Sequence, residues 1–212
     1  MSDEVKIGIL AIQGDYEAHA KMLDRLGVKW TYVRRPADID GISGIILPGG
    51  ESTTHLKVMR EECLWDALHE FHSRGGAFFG TCAGAILLAR AVHNPPQASL
   101  GFLDVSILRN GYGRQLASDV HEGRTKLRDE PMEMVFIRAP IIESVGAGVE
   151  VLAEDAAHPV LVQQGRILAA TFHPELTDDP AVHRHFLEMI QHNGNDSSAA
   201  KAAKKPAASA AN

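Results

Sequence analysis

Residues 77–89 read AFFGTCAGAILLA. A short apolar run ends in Gly80-Thr81-Cys82-Ala83-Gly84, and a second apolar run begins at once. One reading makes Cys82 a small core residue, since free cysteine packs as a small hydrophobe. The other is a nucleophile elbow, the G-x-S-x-G turn with sulfur in place of oxygen. That turn joins a strand to a helix and holds its central residue in a strained backbone conformation. Glycines flank it because side chains there would collide with the neighbouring strand or helix. Composition alone gives a G-x-C-x-G match in such a chain a chance of about 2 %. The motif therefore needs company: a base, an orienting group and an oxyanion hole.

The flanking sequence supplies a matching framework. Residues 6–12 (KIGILAI) read as a buried strand. Asp15 can cap a helix that carries Tyr16, Ala20, Leu23 and Leu26 on one face and stops at Gly27. Residues 30–34 and 44–47 are further strands, and the second ends abruptly at Pro48-Gly49-Gly50. Helical sequence follows over 52–73 with a break near Glu61, then a strand over 77–79 and a helix over 83–91. This alternation predicts a parallel sheet covered on both faces. The second half shows short strands over 104–108, 132–137 and 149–153. Residues 160–163 and 167–171 flank Gln164-Gly165-Arg166 as a hairpin. A final helix starts near Pro180 and turns Val182, Phe186 and Met189 to the core. The expected fold is therefore α/β, a three-layer sandwich with a central mixed, mostly parallel sheet.

Composition bounds the function. A chain of 212 residues fits one domain, expected over residues 1–192. Hydrophobic residues make up 45 % and charged residues 23 %, the balance of a globular protein. The net charge of −6 comes without a basic stripe, which argues against a nucleic-acid partner. The two cysteines, Cys63 and Cys82, form neither a disulfide framework nor a metal-ligand spacing. Cys63, beside Leu64 and Trp65 on a helix, reads as packing. The start MSDEVKIGIL has no signal-peptide pattern, and no apolar stretch is long enough to span a membrane. A reducing cytoplasm is the expected location. From Asn193 onward the chain has neither an aromatic nor a β-branched residue, so residues 193–212 are expected to form a disordered tail.

Cys82 needs a base, and eleven histidines are available. His173 stands out in Thr171-Phe172-His173-Pro174-Glu175, just past a strand. Pro174 disfavours helix at His173, which suits a residue projecting from a strand end. Glu175 can accept a hydrogen bond from the second ring nitrogen and so fix the tautomer. Taken alone, His173 would be a turn histidine; beside the elbow it reads as an acid/base. Pro48-Gly49-Gly50-Glu51-Ser52 follows a neighbouring strand and opens a helix. Gly50 and Ala83 could each present a backbone N–H to an oxyanion. The plain alternative, a tight turn capped by Ser52, does not explain its place at a strand carboxyl end, where open α/β sheets bind ligands.

The order of Gly-Gly loop, GTCAG elbow and His-Pro-Glu resembles the class I glutamine amidotransferases. Five further segments narrow the resemblance: residues 11–15 (AIQGD), 48–53 (PGGEST), 109–115 (RNGYGRQ), 136–140 (FIRAP) and 173–176 (HPEL). They look like the branch that feeds ammonia to pyridoxal 5′-phosphate synthases. The resemblance runs from about Lys6 to Gln191, and the triad positions show no departure from it.

The resemblance implies hydrolysis of L-glutamine to glutamate, with the ammonia delivered to a synthase subunit. It makes Cys82 the nucleophile, His173 the acid/base and Glu175 its partner. It assigns L-glutamine to Gly50, Glu51, Ser52, Arg109, Ile137 and Arg138. Physically, Glu51 can attract an α-ammonium and Arg109 can hold an α-carboxylate as a planar fork. Without the resemblance, each arginine would read as a surface ion pair. Gln13 and Gly49 correspond to the oxyanion loop and the partner interface. The implied partner is a (β/α)8-barrel synthase in a large hetero-oligomer. Pyridoxal 5′-phosphate is that partner's product, so no cofactor is expected here, and no metal.

Three other readings fit the sequence less well. A glutaminase of another pathway, or a γ-glutamyl hydrolase, does not explain RNGYGRQ and FIRAP. A non-catalytic scaffold does not explain an intact Cys82, His173 and Glu175. A zinc site at His183 and His185 fails because neighbours two apart on a helix diverge by about 200°.

Overall fold

In the computed structural model, residues 4–110 and 118–202 are described, the last eleven by backbone alone. The first half runs β1 (Lys6–Leu10), α1 (Tyr16–Arg25), β2 (Lys29–Val33), β3 (Gly44–Leu47), α2 (Ser52–Glu61), α3 (Leu64–Ser73), β4 (Ala77–Thr81) and α4 (Ala83–Leu88). It continues through β5 (Ala89–His93), β6 (Leu103–Leu108), β7 (Ser118–Thr125), β8 (Arg128–Ile137), β9 (Ile141–Val145), β10 (Glu150–Asp155), β11 (His158–Gln164) and β12 (Ile167–Ala170). Short 3₁₀ turns cover Pro36–Ile39 and Pro174–Leu176, and α5 (Ala181–Ala202) follows.

Among the described residues, nine strands form the main sheet in the order β2-β1-β3-β4-β12-β11-β10-β7-β8. Strands β2, β1, β3, β4 and β12 pair in parallel. From β12 outward through β11, β10, β7 and β8 the pairing is antiparallel. This is the expected α/β architecture, with antiparallel strands added to a parallel core. A smaller sheet, β5-β6-β9, packs beside it.

The period-2 alternation of the strands divides the interior in two. Ile45, Leu47 and Phe78 face α2, α3 and α4 with Leu56, Met59, Leu68 and Ile86. Ile46 and Phe79 face α1 and α5 with Ala20, Leu23, Val182 and Phe186. Helices on both faces are what parallel strands require, since each strand is apolar on both sides.

The structure changes several expected boundaries. The helix expected over 83–91 stops at Leu88, because Ala89–His93 pairs in parallel with β6. Tertiary pairing here outweighs the helical propensity of Ala89-Arg90-Ala91. Asp15 precedes α1 but makes no side-chain cap; its φ of −85° and ψ of 31° lie off the extended cap geometry. Strands β7 and β9 were not expected, and residues 111–117, including the GYGRQ part of RNGYGRQ, lie outside the described residues. Helix α5 carries its backbone through Asn193 to Ala202, ten residues into the stretch expected to be disordered. Alanine at 199, 200 and 202 favours that continuation.

The elbow glycines are set by space. A Cβ on Gly84 would stand 1.8 Å from the Leu47 carbonyl oxygen, and one on Gly80 would stand 2.6 Å from the Gly84 carbonyl. Both obstacles are backbone, which cannot swing aside. Gly84→Ala should therefore cost about 3 kcal/mol of stability. Urea unfolding checks this, and an unchanged midpoint would show that α4 does not need this close approach to β3.

Candidate active site

Four loops meet at the carboxyl ends of adjacent parallel strands: those after β1, β3, β4 and β12. Ala170 of β12 lies opposite Thr81 of β4. The residues that follow, Cys82 and Thr171-Phe172-His173, thus leave the sheet side by side. Cys82 has φ 48° and ψ −102°, a strained conformation for a residue with a Cβ. Its N–H donates to the Ala170 carbonyl at 2.9 Å, which ties the elbow to β12. Its Sγ lies 3.8 Å from the Ile137 carbonyl oxygen. His173 is anchored by its own N–H, which donates to the Val135 carbonyl of β8 at 2.8 Å.

The ring of His173 is buried, and its Nδ1 bonds Glu175 Oε1 at 2.8 Å. The Glu175 side chain is wholly inaccessible to solvent. Burial disfavours the charged form of His173. Hydrogen bonds and charge from Cys82 and Glu175 outweigh it and raise the ring from the ordinary 6.5 to about 10. Burial also pushes the Glu175 carboxyl up, against the pull of the His173 hydrogen bond and charge. The direction that decides the chemistry is that of His173: its proton stays on the ring at neutral pH, facing a carboxylate on one side and Cys82 on the other.

The oxyanion candidates sit close by. Ala83 is the first residue of α4, so its N–H has no acceptor within the helix. Gly50 has φ 138°, open to glycine and strained for other residues. A Cβ on Gly49 would meet His173 Cε1 at 2.4 Å. The Gly-Gly loop therefore closes directly on the imidazole. Gln13 stitches it in place: its Oε1 accepts the Glu51 N–H at 2.9 Å, and its carbonyl lies 2.9 Å from His55 Nε2. Burial lowers His55, against the pull of that carbonyl, so the ring is a neutral donor.

The expected glutamine-binding residues also gather. Arg109 reaches Glu51 Oε1 at 3.2 Å; its own side chain is mostly buried, while that of Glu51 is about half exposed. Burial would raise Glu51, but the Thr53 hydroxyl and N–H, with the charges of Arg109 and Arg138, bring it below its ordinary range. Arg138 has φ 45°, so the Ile137-Arg138 turn is itself strained. Ser52 donates its hydroxyl hydrogen to Gln97 Oε1 at 2.9 Å.

Four residues of this region escaped the sequence reading as parts of a site. Gln97 lies in a loop whose sequence carries no motif. Thr81 and His19 are fully buried behind Glu175. The fourth, Asp15, was expected as a helix cap and as the end of the AIQGD segment, with no role at the site, yet its Oδ2 lies 3.6 Å from His173 Nδ1. Asp15, His173 and Glu175 bring three potential ligand atoms within 4.8 Å of one another. The Nδ1 that would have to bind a metal already carries the proton shared with Glu175, so the trio acts as a charge pair. His183 and His185 point to different partners, His19 and Gln163.

A direct consequence concerns pH. A ring raised from 6.5 to about 10 contributes stability that is fully present below 6.5 and is lost as pH rises through about 10. Observed by NMR, the His173 ring signals should titrate near 10 in the wild type. Removing the sulfur in Cys82→Ala should move that titration downward. Titration near 6.5 in both proteins would contradict the buried pair.

Comparison with known proteins agrees with this geometry. The model of the SNO glutamine amidotransferase family matches residues 9–192. A pyridoxal 5′-phosphate synthase subunit PdxT from Koribacter versatilis (strain Ellin345) is 51 % identical over 191 residues, 90 % of this chain and 98 % of that one. A crystal structure of a glutamine amidotransferase is 44 % identical with a TM-score of 0.82, covering 87 % of this chain and 98 % of that one. PurLQS from Thermotoga maritima, at 17 % identity and a TM-score of 0.64, covers 88 % of this chain and 99 % of the matched chain and shares the fold. With the elbow, the buried His-Glu pair and the sheet order described above, the chain belongs to the SNO glutamine amidotransferase family.

Proposed function

We propose that this chain is the glutaminase subunit of a pyridoxal 5′-phosphate synthase, hydrolysing L-glutamine and passing ammonia to its synthase partner. The observation that carries the chemistry is the buried 2.8 Å contact of His173 with Glu175, beside Cys82 on the adjacent strand end. The 51 % identity to a PdxT subunit supports the pathway.

The residues perform the reaction in two halves. Cys82 attacks the carboxamide carbon of glutamine as a thiolate, held by the imidazolium of His173. The tetrahedral oxyanion takes hydrogen bonds from the backbone N–H groups of Ala83 and Gly50. His173 gives its proton to the departing amine, and ammonia leaves. The γ-glutamyl thioester remains on Cys82. His173, now neutral, takes a proton from water, and the hydroxide attacks the thioester. Collapse releases glutamate and restores the thiolate–imidazolium pair. Glu175 accepts from Nδ1 throughout and keeps the Nε2 edge turned to Cys82.

Both charges of the amino-acid end have counterparts. Arg109 and Arg138 suit the α-carboxylate, and Glu51 suits the α-ammonium. Ser52 and the Ile137 carbonyl add polar contacts at the same mouth. Free ammonia at neutral pH is mostly ammonium, a poor nucleophile, so a glutaminase gains from acting only when a synthase is docked. The partner on this reading is a (β/α)8-barrel in a hetero-oligomer. The loop of Gly49 and Gly50, with Gln13 against it, is where docking would adjust the oxyanion hole.

Glutamate release from L-glutamine, measured with and without the synthase, tests this reading. The synthase should raise turnover strongly, and Cys82→Ala should abolish it, a loss of at least about a thousandfold. Turnover indifferent to the synthase would point to another pathway. A Cys82→Ala protein of full activity would overturn the mechanism. Arg109→Met should raise KM for glutamine by about tenfold to a hundredfold with less effect on kcat.

A further inference from the structure

Behind Glu175 lies a line of buried polar side chains drawn from three separate elements. Thr81 of β4, His19 of α1 and His183 of α5 are all fully inaccessible. The Thr81 hydroxyl donates to Glu175 Oε1 at 3.3 Å. His19 Nε2 lies 3.1 Å from that hydroxyl oxygen and 3.5 Å from Glu175 Oε1. His19 Nδ1 lies 2.9 Å from His183 Nε2. His183 Nδ1 ends the line with no hydrogen-bond partner among the described residues.

The hydrogens in this line have one consistent arrangement. An ionised carboxylate only accepts, so Oε1 takes His173 Nδ1–H and the single hydroxyl hydrogen of Thr81. Thr81 Oγ1 must then accept, and His19 Nε2–H is the donor. A neutral His19 is in turn an acceptor at Nδ1, filled by His183 Nε2–H. The closed end is a bare lone pair on His183 Nδ1. Reversing the direction would leave an N–H at that end with no acceptor and would take the Thr81 hydrogen away from Glu175. A buried unpaired donor is the costlier fault. Charging either ring is also opposed. Burial first, then repulsion from His183 and His173, holds His19 well below its ordinary range, and burial lowers His183 to about 3.

We propose that Thr81 and His19 are positioning residues for the glutaminase reaction. They form a neutral, one-directional hydrogen-bond chain that holds Glu175 Oε1 against His173 Nδ1. The inference rests on the reading of Cys82, His173 and Glu175 as the reacting triad. Two features show why Glu175 needs support. Its Oε2 is buried with no hydrogen-bond partner among the described residues, so the side-chain contacts that hold the carboxylate converge on Oε1. Asp15 Oδ2, 3.6 Å from the same Nδ1, is a rival acceptor on a more exposed side chain. The chain behind Glu175 makes it, and not Asp15, the partner of the imidazole. Neutral histidines in the chain also offer the Nδ1 proton no alternative home, so it stays on His173 while the ring gives its other proton to the leaving amine and regains one from water.

The test uses the full chain with its synthase and reads kcat, KM and the pH profile of kcat/KM. Thr81→Val keeps the shape and removes the hydroxyl. It should lower kcat about tenfold to a hundredfold while KM for glutamine stays within about twofold. The high-pH limb of its profile should move to lower pH, because a displaced Glu175 no longer holds the His173 proton. Thr81→Ser should restore most of the loss. His19→Leu should fall in the same way, and the Thr81→Val/His19→Leu double variant should lose little more than either alone. Wild-type kcat and an unmoved high-pH limb in both single variants would overturn the proposal. So would a parallel fall in kcat, thermal midpoint and KM with the limb unmoved, the mark of a packing role. Cys82→Ala separates the two levels: an inactive Cys82→Ala beside unaffected Thr81→Val and His19→Leu refutes only the positioning chain, while an active Cys82→Ala refutes the triad beneath it.

Discussion

Where β12 runs parallel to β4, Ala170 lies opposite Thr81, and the next residues of each strand leave the sheet together. The proposed chemistry depends on that pairing. Cys82 comes from one strand end and His173 from the other, with 90 residues of chain between them. Its register is locked by the bond from Cys82 N–H to the Ala170 carbonyl, so the strained elbow and the sheet hold each other. A one-residue slip would turn every side chain of β12 to the opposite face and force Leu168 and Ala170 out of the layer under α1 and α5 into the one under α2, α3 and α4. The apolar packing on both faces of the sheet therefore also fixes the distance between Cys82 and His173.

Charge burial is the second constraint. An isolated carboxylate as deep as Glu175 would be strongly disfavoured. It is tolerated because His173 carries a proton beside it and Thr81 donates from behind. This differs from a structural ion pair, because Cys82 holds the far edge of the same ring. Glycine provides the remaining room: Gly84 lets α4 approach β3, and Gly49 lets its loop reach the imidazole. Close approach of backbone and a buried charge pair thus bring together, in one small region, the residues that the proposed mechanism uses as nucleophile, base and oxyanion donors.

The legible part of this fold was the part whose chemistry is unusual. A cysteine between two glycines after FF, and a His-Pro-Glu after a strand, have few structural uses, and both came out at parallel strand ends. The α2/α3 break and the β11/β12 turn followed from local signals as well. Strand β7 (SDVHEGRT) did not, because it is mostly exposed and its apolar alternation is weak. Ala89–His93 misled for the opposite reason: its residues favour helix, and only pairing with β6 makes it a strand. His19 sits on the apolar face of an amphipathic helix, where one histidine among eleven carries no signal. Its neighbours, Thr81 and Glu175, are 62 and 156 residues further on, and only the folded chain brings them together.

The central claim is that Cys82 carries the γ-glutamyl group between two half-reactions. Acid quenching of the synthase-bound protein during turnover of radiolabelled glutamine, followed by peptide mapping, tests it most directly. The account predicts label on the peptide containing Cys82, held through a thioester that hydroxylamine releases, and no label in His173→Asn. Turnover at full rate without label on that peptide, or label on Cys63 instead, would contradict it.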